Sequence, residues 1–248
     1  MKVSVLKNLS PVILASTLAT VAFSSANAAE VKLAQGILPP YGIKESNSGI
    51  EVDIIKAALA KKGHTLSVRF VPFGRMGKEF EGGKVTAATP LTPGSGVKAE
   101  YSDSHISYQN VATTLKEKGQ KIGSITDLGN YKVVAFVKAD VYLGDEFAKM
   151  AKANKNYREV GDQSTQNKLL MTGRTDAVVG DIRIFKYYNK QIASQVKLKD
   201  VTYHEIFSPT VYHVAFKDAA VRDDFNAGLK EIKASGEYDK IIAKYVSD

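Results

Sequence analysis

The chain has 248 residues, 44% of them hydrophobic, a formal net charge of +8 and no cysteine. That length can bury a sizeable core, and the lack of cysteine excludes disulfide scaffolds, thiol chemistry and a cysteine-linked lipid anchor. Lys and Arg are dispersed, with the densest runs at 116–121 and 152–158, so no basic stripe suits a nucleic-acid partner.

Lys2 and Lys7 precede an apolar stretch from Val12 to Phe23, and Ala26-Asn27-Ala28 supplies small residues at a cleavage site. This is the pattern of a secretory signal peptide over 1–28, cleaved near Ala28. The apolar stretch is too short, and too broken by Ser and Thr, for a spanning helix. The expected mature chain, 29–248, keeps a net charge of +6 and has no second run of spanning length. These features predict a soluble protein of the Gram-negative periplasm.

Strand-like and helix-like stretches then alternate. "VKLAQG" (31–36) reads as a strand, and "GIEVDIIKAALAKKG" as a helix with Val52, Ile55, Ala58 and Leu59 on one face and Gly63 at its end. "TLSVRFVPF" (65–73) alternates Leu66, Val68 and Phe70, a half-buried strand. Further strands are expected over 84–89, 111–116, 131–137, 176–181 and 211–216. The polar, turn-rich 117–130 reads as a crossing from one lobe to another. The C-terminal part is helical, with Phe225, Leu229 and Ile232 on one face, a break at Gly236, and then Tyr238, Ile241, Ile242 and Tyr245. The alternation predicts α/β architecture with mainly parallel sheets.

Catalytic signatures are missing. "PGSGV" is not a nucleophile elbow, and "KEFEGGKV" lacks the first glycine and the Ser/Thr of a phosphate loop. His64, His105, His204 and His213 have no metal-ligand spacing, so neither a metal nor a cofactor is expected. Ligands of open α/β sheets bind beyond the carboxyl ends of strands. The loops there are "PPYG" (39–42), "PFGR" (72–75), "TPLTPGSG" (89–96), "KADVY" (138–142) and the strand end at Asp181. Aromatic, hydroxyl and charged residues in five such loops are what a ligand cleft needs.

The order of these motifs resembles the family 3 periplasmic solute-binding proteins, the amino-acid receptors of bacterial ABC importers. The resemblance runs from about 35 to 247. It is carried by "PPYGIKESNSGIEVDIIKAALAKKG", "GGKVTAATPLTPGSGVKAEYSDSHISY", "SITDLGNYKVVAF", "LLMTGRTDAVVGDIRIFKYY" and "LKEIKASGEYDKIIAKYV". It implies a type II periplasmic-binding-protein fold with two α/β lobes, 30–112 plus 212–248 and 113–211, built on mixed, mainly parallel sheets and joined by hinge strands "VATTL" and "PTVYH". A small-molecule ligand would close the lobes, and the partner would be an ABC permease in the inner membrane, with the receptor a monomer.

Carried over by position, the resemblance makes Tyr41 and Phe73 apolar walls, sets Thr92 on the family's second Thr, and sets Asp181 on the acid that takes the ligand ammonium. The family's carboxylate-binding arginine falls on Ser95, its Asp on Thr86, its first Thr on Pro90, and its Gly-Thr near Ala139 and Asp140. Two replacements are open: N–H groups of Gly94 and Ser95 in a helix begun by Thr92 and Pro93, or the Arg75 guanidinium. The resemblance implies a small polar ligand, an amino acid or a related amine or acid, and Asp140 and Asp181 both in the cleft would suit a cationic one such as a basic amino acid or amine. The alternatives are a ligand-sensing partner of a membrane receptor, an enzyme resembling cyclohexadienyl dehydratase with Asp140 or Asp181 as its acid, and a relaxed cleft that no longer binds small ligands well.

Overall fold

The computed structural model describes Met1 and residues 28–245, so the expected signal peptide lies outside the described residues apart from Met1 and Ala28. The first sheet starts with β1 (Glu30–Gly36), α1 (Ile50–Ala60) and β2 (Thr65–Val71). β1 and β2 are parallel, from Glu30 opposite Thr65 to Gly36 opposite Val71. α1 buries the expected Val52, Ile55, Ala58 and Leu59, and with them the charged Glu51. α2 (Met76–Glu81), β3 (Ala87–Leu91), β4 (Glu100–Tyr101) and β5 (Ile106–Tyr108) follow, with β3 parallel to β1 and buried throughout.

The chain then builds a second sheet from β6 (Asn110–Leu115), β7 (Val133–Phe136), α3 (Ala139–Tyr142), α4 (Gly144–Ala153), β8 (Tyr157–Val160), α5 (Gln163–Met171), β9 (Ala177–Asp181), α6 (Ile182–Ile192) and β10 (Val201–His204). Its order is β10-β6-β9-β7-β8. β11 (Thr210–Phe216) returns to the first sheet and lies between β3 and β4, pairing β5 as well. α7 (Ala219–Ala234) and α8 (Glu237–Tyr245) complete the first lobe. Gly228 lets α7 approach α1 closely, since a Cβ there would collide with the Ala58 carbonyl.

Two expectations change. The chain crosses between sheets at Gln109 and between His204 and Thr210, ahead of the boundaries expected at 112/113 and 211/212. The reason is pairing: β6 runs against β9 from its first residue, Asn110 opposite Asp181, so "VATTL" is held inside the second sheet. The polar 117–130 joins β6 to β7 within one lobe rather than crossing. The sheets are mixed, as the fold class implies: β1 runs parallel to β2 and β3 and β7 to β8 and β9, while β6 and β11 run antiparallel to their neighbours.

Each sheet has its own apolar core. Leu33, Ile54, Ile55, Val214, Phe225 and Leu229 sit in the first, and Val133, Phe147, Met150 and Val179 in the second. The two meet through apolar contact. Ile184 of α6 belongs to the first core, and Phe73 packs on both. Among the described residues no helix is long and apolar enough to cross a membrane.

Candidate functional site

Asp181 ends β9 and caps α6, as a short acid at a strand-to-helix junction can. Its Oδ1 accepts from the N–H groups of Arg183 (2.9 Å) and Ile184 (3.0 Å). Its Oδ2 accepts from the Gln109 N–H (2.9 Å) at the crossing and from the Tyr41 hydroxyl (3.1 Å) of the other lobe. The side chain is buried, and burial pushes its carboxyl up to about 6.

Tyr41 reaches this acid because its loop folds tightly. Its N–H bonds the Leu38 carbonyl at 2.8 Å, and Gly49, at φ 138°, closes on it where a Cβ would collide with the Tyr41 carbonyl. The Tyr41 ring stacks on Tyr108 with centroids 3.8 Å apart. Its hydroxyl also accepts from Arg183 Nη1 at 3.3 Å. Burial, and secondarily Asp181, holds the Tyr41 phenol well above its ordinary range, so it stays a neutral donor.

Between the lobes lies a cavity lined by Leu38, Phe73, Tyr108 and Tyr212 from the first and by Asn110, Phe136, Gln163, Asp181 and Ile184 from the second. Its volume is about 10 Å³, the size of one water site. The lobes are therefore closed, and aromatic rings fill the cleft. Tyr108 and Tyr212 are 4.6 Å apart, Phe73 and Tyr142 5.1 Å, and Phe73 and Phe136 6.0 Å. The Tyr108 hydroxyl is buried and, among the described residues, has no hydrogen-bond partner.

Of the residues expected at the site, Phe73 and Asp181 line the cavity, and Tyr41 sits against Asp181. Four lie outside. Arg75 ends the 3-10 turn that aims Phe73 inward, is itself exposed, and pairs with Glu79 at 3.7 Å. Ser95 bonds the Tyr101 hydroxyl at 3.2 Å. Thr92 precedes a single 3-10 turn, Pro93–Ser95, and its hydroxyl makes no cap bond, so the expected helix start is not formed. The two glycines of "PGSG" explain why the turn stops there. Asp140 is exposed because Ala139 and Tyr142 take the inward face of α3.

Tyr108, Tyr142, Tyr212, Gln109 and Arg183 were not singled out by sequence reading. Their signal was their place: Tyr108 and Gln109 flank the crossing, Tyr212 lies on the returning strand, and Arg183 follows the capping acid. The four histidines all have hydrogen-bonding roles within the fold. His64 Nδ1 accepts from the Ala29 N–H while Nε2 meets Asp224, His105 meets Glu51, His204 meets Thr114, and His213 Nδ1 donates to the Ser102 carbonyl. Among the described residues no group of three or more His, Asp or Glu could hold a metal ion.

Two α/β lobes that share two crossings and close over a buried carboxylate define a bilobal binding protein. The chain belongs to the bacterial extracellular solute-binding proteins, family 3, which match it over residues 33–248. Its role is solute binding. It is similar to the arginine-binding periplasmic protein of Mannheimia haemolytica, 25% identical over 93% of this chain and 98% of that one. It is similar also to a probable histidine-binding protein of Neisseria gonorrhoeae, 27% identical over 82% and 76% of the two chains. The solved structure of an ancestral arginine-binding protein bound to arginine, 25% identical, superposes with a TM-score of 0.72 over 88% of this chain and 98% of that one.

Proposed function

We propose that the protein captures an amino acid between its lobes in the periplasm and, as a monomer, presents it to the permease of an ABC importer. One observation carries this reading: the Tyr41 hydroxyl crosses from one lobe to donate to Asp181 on the other. When the lobes part, Asp181 keeps its two cap bonds on Oδ1 and loses a donor on Oδ2. A ligand ammonium is the natural replacement, since charge-assisted bonds to carboxylate are about twice as strong as neutral ones. The rings of Phe73, Tyr108 and Tyr212 would pack the ligand side chain. The names of the relatives, which bind arginine or histidine, point to the same ligand class.

The role is capture without turnover. An acid that promotes water loss must be free to move a proton, whereas Asp181 is engaged by four donors and Asp140 faces solvent. The test is a thermal-shift screen of residues 29–248 with the twenty amino acids. A ligand at 100 times its Kd stabilises by about 2.7 kcal/mol. The expected result is a shift with at least one amino acid that disappears in Asp181→Ala. No shift with any of them would sink the proposal.

A further inference from the structure

We infer that Arg183 is the partner of the ligand's carboxylate, standing in from α6 for the arginine that the loop after β3 does not carry. This rests on the reading of the cleft as an amino-acid site. The cation of that loop, Lys98, is exposed and lines a different surface pocket, Ser95 is spent on Tyr101, and Arg75 is exposed and paired with Glu79. Among the described residues no cationic side chain lines the cavity itself. A carboxylate buried there without one would be strongly disfavoured.

Arg183 lies two residues beyond Asp181, on the first turn of α6. It is half-buried, and among the described residues it forms no ion pair. Its side-chain bond goes to the hydroxyl of Tyr41. That hydroxyl donates to Asp181 at 3.1 Å and accepts from Arg183 at 3.3 Å. A donor facing the acid and an acceptor facing the base is the pattern an α-amino acid head group presents, with ammonium and carboxylate on one carbon. The Tyr41 phenol thus holds the place of that head group where the two lobes meet. Opening takes Tyr41 away with the first lobe and leaves Asp181 and Arg183 together on α6. The planar guanidinium can then take the carboxylate with two parallel bonds. The buried, unpartnered Tyr108 hydroxyl at the cavity is a second group left for the ligand.

The test removes the carboxylate from the ligand and the guanidinium from the protein in turn. Titration calorimetry on residues 29–248 would compare L-arginine with agmatine, L-lysine with cadaverine, and L-histidine with histamine. For wild type, the amino acid of at least one pair is expected to bind about 100-fold tighter than its amine, the scale of losing one partner of a buried charge pair. In Arg183→Gln that difference should collapse, the amino acid losing about 100-fold and the amine staying within about twofold. Arg183→Lys should recover part of the loss, which a folding defect would not do. The inference is overturned if Arg183→Gln binds the amino acid as wild type does, or if the amines bind wild type as tightly as their amino acids. Either of these leaves the cleft reading standing when binding still depends on Asp181. No binding by any member of the three pairs would overturn the inference and the cleft reading for these ligands together.

Discussion

Among the described residues three carboxylates are buried, Glu51, Glu79 and Asp181, and the first and last are held in opposite ways. Glu51, on α1, is fully buried; its oxygens meet Gln35 Nε2 at 2.8 Å and His105 Nε2 at 3.1 Å. Gln35 lies on β1 and His105 just before β5, and Thr89 of β3 reaches the same His105 nitrogen at 3.3 Å. Every partner belongs to the first lobe, so nothing in the opening of the cleft disturbs them. Asp181 is equally hidden, yet its four donors come from its own helix, from the crossing and from the opposite lobe. Burial alone does not mark a functional acid. What separates the two is whether the partners can move apart.

The contrast can be broken most severely at Glu51. Glu51→Ala takes from His105 and Gln35 the buried carboxylate they share, leaving only their bonds to Thr89 and the Gly36 carbonyl, and should cost about 3 kcal/mol in urea unfolding. The affinity of the folded fraction should not change, and a loss of affinity at undiminished stability would erase the distinction. The pH dependence comes next. Burial raises the Asp181 carboxyl to about 6, above its unfolded value. A raised carboxyl contributes stability that is complete below the ordinary carboxylate range and is lost as pH rises through 6. Wild type should therefore lose on the order of 2–3 kcal/mol between pH 4 and 7 from this group. Asp181→Asn, which keeps a cap oxygen, should flatten that part of the profile.

The ligand side is sharpened by Asp181→Ala, expected to weaken amino-acid binding about 100-fold by calorimetry while removal of the helix cap costs only about 1 kcal/mol of stability. A binding loss no larger than the stability loss would make Asp181 a structural cap and nothing more. The smallest effect is expected of Tyr41→Phe. It removes the phenol that competes for Asp181 and Arg183, and so should tighten ligand binding about fivefold, the worth of one neutral hydrogen bond. Weaker binding would mean that the hydroxyl serves the ligand instead of standing in its place.

Much of the fold was legible because period carries far. The strands around Leu33, Val68, Val134, Val179 and Val214, and the faces of α1 and α7, follow from spacing alone. β4 has two residues and β5 three, too few to show any alternation. The crossing was misplaced because a strand that leaves one sheet and joins another within one residue needs no turn chemistry, while the turn-rich 117–130 advertises a break that stays inside a lobe. Of the residues expected from their places at strand ends, Phe73 and Asp181 line the cavity and Tyr41 sits against Asp181. Tyr108 and Tyr212 escaped because they lie in strands, and only the return of β11 beside β5, with Tyr212 opposite Ile106, brings their rings together. Asp140 and Tyr142 share one short helix, and sequence alone does not say which of them faces in.

The place of β11 has a consequence for the order in which the molecule can be completed. All strands of the second sheet lie between Asn110 and His204, whereas the first sheet is missing its β3 neighbour until Phe216 has left the ribosome. A nascent chain stalled before that point holds a whole second lobe inserted in an unfinished first one, with the fully buried face of β3 still open on one edge. The half that begins first is finished last, and the late segment that finishes it carries Tyr212 to its place in the cleft.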